Sequence, residues 1–198
     1  LSTSQLGALS SVAVRGLTID QLAVIDSAKM VGLSSRTLGA LSSAQVNALS
    51  SEQFDALSTA QLTALGSLAL AGLEAADIET LTSAELSVLS TRALAGLSSA
   101  SFAALDSDQI SGLTTAQIAS LSTTVIANLT TAQIDGLTPT QVSALTSRQM
   151  TALSSANLAS FTTDQIATLN SRAVAVLSST QVAALSTDQV DVLSTGQL

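Results

Sequence analysis

An eight-residue period runs through the whole chain without one insertion or deletion, and that period excludes most folds. The units read LSTSQLGA, LSSVAVRG, LTIDQLAV and so on to LSTDQVDV and LSTGQL, which makes 24 full octads and a six-residue remainder. Position 1 is Leu in 23 of 25 octads, Ile25 and Phe161 being the exceptions, and position 6 is always apolar, so large apolar residues alternate at spacings of five and three. A continuous α-helix turns through roughly 800° in eight residues, and its apolar stripe would drift by roughly 80° per octad until it wrapped every side. A continuous strand fails too, because odd spacings send successive large residues to opposite faces. Each octad must contain its own change of direction.

The residue types place that change. Position 2 is Ser, Thr, Asp, Asn or Gly in every octad except that of Glu74, and these are the residues preferred at a helix N-cap. Three residues later, position 5 is Gln or Glu in 15 of 25 octads, which completes a capping box. Positions 1 and 6 then become the two halves of a hydrophobic staple. The only proline, Pro139, falls at position 3, the first helical residue, where a missing amide costs nothing. Position 8 is most often Ala or Gly, suiting a tight helix exit or a close approach to a neighbouring segment.

These signals predict a helix from position 3 to position 8 of each octad, roughly 9 Å long. A helix so short does not stand alone in water, where about 12 to 15 residues are needed even for marginal stability. Stability must come from stacking. The expected fold is an all-α solenoid of very short capped helices, one per octad, forming a single repeat domain over residues 1–198. Positions 1 and 6 fill a narrow core, positions 3, 4 and 7 face outward, and two or three octads make one coil. The alternative is a thin β-solenoid, which Ser, Thr, Val and Ile permit but which leaves the Gln at position 5 and the N-cap set at position 2 unexplained.

A longer period overlies the octads. Arg36, Arg92 and Arg148 recur every seven octads, as do Glu52, Asp108 and Asp164, and Glu79, Asp135 and Asp191. Duplication of a seven-octad block accounts for this. The same pattern holds an interval of sixteen residues from Arg36 to Glu52, Arg92 to Asp108, Arg148 to Asp164 and Arg172 to Asp188. A coil of two octads would set each arginine over its acid. The alternative is inherited spacing with solvated charges.

Composition narrows function mainly by exclusion. Six basic against fourteen acidic residues give a net charge of −8, which argues against nucleic acid and anionic membranes. Ser or Thr interrupts nearly every octad, so no apolar run approaches the roughly 20 residues of a membrane span, and no membrane insertion is expected. There is no basic-then-apolar leader at the start. The array begins at position 1 and stops at position 6 without an atypical polar unit, so an interior stretch of a longer array is expected.

His, Cys and Tyr are absent and Lys29 is the only lysine, so most of the groups that perform acid–base or nucleophilic chemistry are missing. Lys29 occupies position 5 and reads as a surface substitution for Gln. Glu74, Asp77, Glu79 and Glu85 form the densest acidic cluster, but without the spacing of an oxygen-ligand loop; they read as solvated helix-end charges. Phe54, Phe102 and Phe161 replace aliphatic residues at core positions. No catalytic, cofactor-binding or metal-binding residue is predicted, and no cofactor. Ser or Thr at position 3 in 22 of 25 octads makes a hydroxyl row that could match an ordered surface such as ice or a glycan.

The units LTTAQIAS at Leu113, LTTAQIDG at Leu129 and FTTDQIAT at Phe161 resemble the LTTxQI octapeptide arrays of very large bacterial secreted or surface proteins of adhesin-like character. The resemblance covers all 198 residues and implies an extracellular or cell-surface stalk, with no catalytic residues to carry over. Variant octads such as LGSLALAG and LEAADIET depart from it. The expectation is a non-enzymatic spacer, a monomeric rod within a larger chain. The alternative is an interaction solenoid that binds a protein, glycan or ordered surface through positions 3, 4 and 7.

Overall fold

A computed structural model describes residues 1–197; Leu198, the last position-6 residue of the pattern, lies outside them. The protein is an all-α solenoid of short helices. Among the described residues there are 23 α-helices and one 3-10 helix, each of four to six residues and each beginning at position 3 of its octad, and no strand. The β-solenoid is thereby excluded.

The local chemistry follows the octad. In the helix Ser51–Asp55, Ser50 is the N-cap with extended backbone; Gln53 N donates to Ser50 Oγ at 3.3 Å and Ser50 N donates to Gln53 Oε1 at 2.9 Å. This reciprocal box satisfies two amides that the first turn would otherwise leave orphaned. Pro139 opens the helix Pro139–Ser143 as its first residue. The helix ends as early as position 6 in Ser67–Leu70 and as late as position 8 in Ala75–Thr80. Positions 1 and 2 are then extended, as at Leu89 (φ −64°, ψ 140°) and Ser90 (φ −66°, ψ 151°), and that two-residue link is the change of direction.

One octad departs from the α-helical expectation. IDSAKMVG forms the 3-10 helix Ser27–Gly32. Its N-cap Asp26 accepts from Ala28 N, one residue earlier than in the other octads, and Lys29 stands where Gln would close the box. A lysine has no acceptor to offer the N-cap amide, but the open box is not the cause, since Ser11–Arg15, with Ala13 at position 5, is an α-helix.

The chain divides into two compact units, Leu1–Ala104 and Leu105–Leu198. Within the first, Thr3–Gly7 packs on Ser27–Gly32, Ser11–Arg15 on Ser35–Leu38, and Ser43–Asn47 on Ser67–Leu70, which packs in turn on Thr91–Leu94. Within the second, Thr123–Ala127 packs on Ser147–Ala152 and Pro139–Ser143 on Thr163–Ala167. Every such pair is three octads apart, so three octads carry the chain around one coil. A coil of two octads is therefore wrong, and with it the stacking of arginines on acids. Arg36 lies on Ser35–Leu38, which packs on Ser11–Arg15 and Thr59–Leu62, whereas Glu52 lies on Ser51–Asp55, which packs on Ser27–Gly32.

Positions 1 and 6 form the core of each unit as expected, except at Leu1, Val182 and Val190, which are exposed. Leu49, Phe54, Leu57 and Leu62 are buried in the first, and Leu113, Ile118, Leu145 and Met150 in the second. Glycine at position 8 serves close approach, not a left-handed exit, since none of the described residues has positive φ. A Cβ on Gly72 would sit 2.1 Å from Ser43 O, and one on Gly96 would sit 2.1 Å from Ser67 O.

Candidate functional site: the glutamine between coils

The most constrained polar group in the array is the side-chain amide at position 5. In the second unit Gln141 Nε2 donates to Ile110 O at 2.8 Å and to Leu113 O at 2.6 Å. Gln149 repeats this with Ile118 O at 2.8 Å and Leu121 O at 3.0 Å, as does Gln165 with Ile134 O at 3.1 Å and Leu137 O at 2.6 Å. In the first unit Gln45 reaches Val14 O and Leu17 O, Gln53 reaches Leu22 O and Ile25 O, and Gln61 reaches Met30 O and Leu33 O, all between 2.6 and 3.0 Å. In these six the sequence separations are 31 and 28 residues, while Gln189 reaches Ala159 O and Phe161 O at separations of 30 and 28.

The two acceptors differ in what else they hold. The position-6 carbonyl already accepts the position-1 amide, as Ile110 O accepts Leu113 N at 3.1 Å. The position-1 carbonyl, such as Leu113 O, receives no backbone N–H. The glutamine of the next coil therefore satisfies an otherwise orphan acceptor in a buried place, where an unpaired carbonyl is costly. Its Oε1 meanwhile accepts the N-cap amide of its own helix, as Gln141 does from Thr138 N at 2.7 Å. One side chain thus caps its own helix and pins the coil before it. These glutamines are buried, Gln141 being 2% exposed, whereas Gln5 and Gln21, in the first three octads, are exposed.

Only the capping half of this role was read from the sequence. A signal for the rest was present: a capping box accepts Glu as well as Gln, and a negative charge is favoured near a helix N-terminus, yet position 5 holds fourteen Gln and one Glu. The excess points to a need for donors. Shorter substitutes keep the 28-residue bond alone: Thr37 Oγ1 donates to Leu9 O at 3.1 Å, Ser101 Oγ to Leu73 O at 2.9 Å and Asn157 Nδ2 to Leu129 O at 2.9 Å.

The residues singled out from the sequence fall as follows. Lys29 is half-buried at the edge of a shallow groove of about 510 Å³ with Asp26 and Glu52. In the acidic cluster Asp77 Oδ2 accepts Glu74 N at 2.9 Å, and Glu85 Oε2 accepts Thr82 N at 2.8 Å, so both serve their own helix caps. Among the described residues no three His, Cys, Asp or Glu side chains are grouped to hold a metal ion. Phe54, Phe102 and Phe161 are buried in the core. The position-3 row is interrupted: Thr115 and Thr131 are exposed, but Ser35 and Ser67 are half-covered, and Ser35 Oγ donates to Ala60 O at 2.9 Å. No helix among the described residues is long and apolar enough to cross a membrane.

No curated protein matches the chain. The ALTTAQ repeat family matches residues 22–59, 35–67, 81–115, 93–123 and 113–147, which together span more than half of it. The stretch from Ala56 to Gln61 shows what such a motif encodes: a small residue at position 8, the core Leu57, the N-cap Ser58, two first-turn residues and the glutamine that pins the preceding coil. The chain belongs to the ALTTAQ repeat family.

Proposed function

We propose that this array is a structural spacer, without catalytic activity, that serves as a stalk in a large bacterial secreted or surface protein. The observation that supports it best is the recurrent 28-residue register of the position-5 glutamines in both units. Most octads bring their own cap, core residues and bonds to the coil before them, so octads can be added without altering those already stacked. Length is the property that such a sequence varies most cheaply. The resemblance of LTTAQIAS and LTTAQIDG to adhesin-like arrays supports an extracellular setting, and the net charge of −8 favours solubility in an extended, exposed segment.

The test is to prepare the array with seven octads removed and with seven duplicated, and to measure end-to-end distance by spin or fluorophore labels placed near the two ends. A spacer gives a distance that rises linearly with octad number. A distance indifferent to octad number sinks the proposal, as does saturable binding of a soluble protein or glycan that is lost on changing residues at positions 3, 4 and 7.

A further inference from the structure

Five consecutive octads, from Leu65 to Ala104, carry no glutamine at position 5: they hold Ala69, Asp77, Glu85, Ala93 and Ser101 instead. By the register of the other coils, the first four of these stand opposite the carbonyls of Leu41, Leu49, Leu57 and Leu65, all within the first unit. No backbone or side-chain donor reaches any of those four carbonyls among the described residues. The acidic members are the least suited of all, because an ionised carboxylate has no hydrogen to donate. Asp77 and Glu85 are half-buried, unlike the buried glutamines at the same position in other coils, and both carboxylates turn to their own N-cap amides.

We infer that the seam between residues 41–65 and residues 69–93 is the place where the first unit opens, a built-in point of local extension. What loosens is the stacking of one coil on the next, and helices this short do not persist unstacked, so opening releases the position-6 amides they hold. The close backbone approaches of Gly72 to Ser43 and Gly96 to Ser67 hold one edge of the seam. At the other edge, near Asp77, an exposed side-chain bond runs from Asn47 Nδ2 to Glu74 Oε1 at 3.4 Å, and Ser83–Val88 packs on Thr59–Leu62. Opening energies in folded proteins range from nearly zero to the global stability, and regions with few buried bonds lie at the low end. In a stalk the seam would lengthen before the rest under load; that use rests on the spacer reading, but the opening itself does not.

Hydrogen exchange on the full chain tests it, read at position-6 amides that all donate to an N-cap carbonyl. Val46, Phe54, Ile78 and Leu86 on the two sides of the seam are expected to exchange at least tenfold faster than Ile134, Val142 and Met150 in the second unit. Equal or slower exchange at the seam overturns the inference. The double variant Asp77→Gln with Glu85→Gln is expected to slow exchange at Val46 and Phe54 at least threefold and to leave Val142 unchanged. An unchanged seam in that variant shows that absent donors are not the cause, and overturns the inference as well. A failed length-scaling experiment would remove the spacer reading while leaving the exchange pattern intact, so the two failures are distinguishable.

Discussion

The Gln141 side-chain amide lies 2.6 Å from the carbonyl of Leu113, a residue 28 positions earlier in the chain, and no backbone N–H competes for that oxygen. The same amide reaches Ile110 O while its oxygen holds the Thr138 amide, so a single buried side chain joins one helix start to two points of the preceding coil. In a solenoid each coil contacts only its neighbours, and such bonds bear directly on the interface term of its stability.

Replacing this side chain separates its roles. Gln141→Leu keeps the volume and removes every bond, leaving Leu113 O buried without a donor, and should cost about 2 to 4 kcal/mol. Gln141→Asn should cost about half as much, since Asn157 shows that the shorter amide still reaches the 28-residue acceptor. Gln141→Glu keeps the cap but has no donor for the carbonyls below, and should be at least as harmful as Leu. Urea midpoints for the three variants check the order.

Glycine should be replaceable only where the neighbouring coil stands away. Gly72→Ala and Gly96→Ala each drive a methyl into a backbone carbonyl and should cost about 1 to 3 kcal/mol. Gly66 is an extended N-cap with open space where its Cβ would go. Gly66→Ser should therefore stabilise by a few tenths to about 1 kcal/mol, by adding a cap oxygen and restricting the unfolded chain. Thermal midpoints moving in opposite directions would verify the contrast.

Arg36 and Glu52 sit on helices that do not pack together, so a double-mutant cycle between them should give a coupling below about 0.3 kcal/mol, smaller than many surface ion pairs. A larger value at low salt would show that their recurrent spacing is energetic after all.

Phe102, only 1% exposed, fills a position that is aliphatic in most octads. Phe102→Ala should cost about 3 to 5 kcal/mol through the cavity it leaves, while Phe102→Leu should cost less than about 1.5 kcal/mol. Chemical denaturation of both variants would check the gap.

Much of the local structure was legible in the octad because its causes lie within eight residues. Ser50 and Gln53 are three apart, close enough to close a capping box whatever the rest of the chain does. Pro139 likewise marks a first helical residue by its own geometry. The period of five and three settled that positions 1 and 6 share a core. Local rules reached less far at Asp26, which caps Ala28 N at the start of a 3-10 helix where an α-helix was expected.

Three octads per coil, the donor role of glutamine and the purpose of glycine at position 8 were decided only by the tertiary structure. Helix ends fix what each octad does at its own termini, but a stack of two or of three octads buries the same apolar residues, so periodicity does not choose between them. The choice rests on which distant carbonyl each Gln amide meets and on whether backbones such as Gly72 and Ser43 can touch. Those contacts join residues about 28 apart, beyond the reach of any eight-residue pattern, and through them an array of individually unstable helices acquires one stacking register.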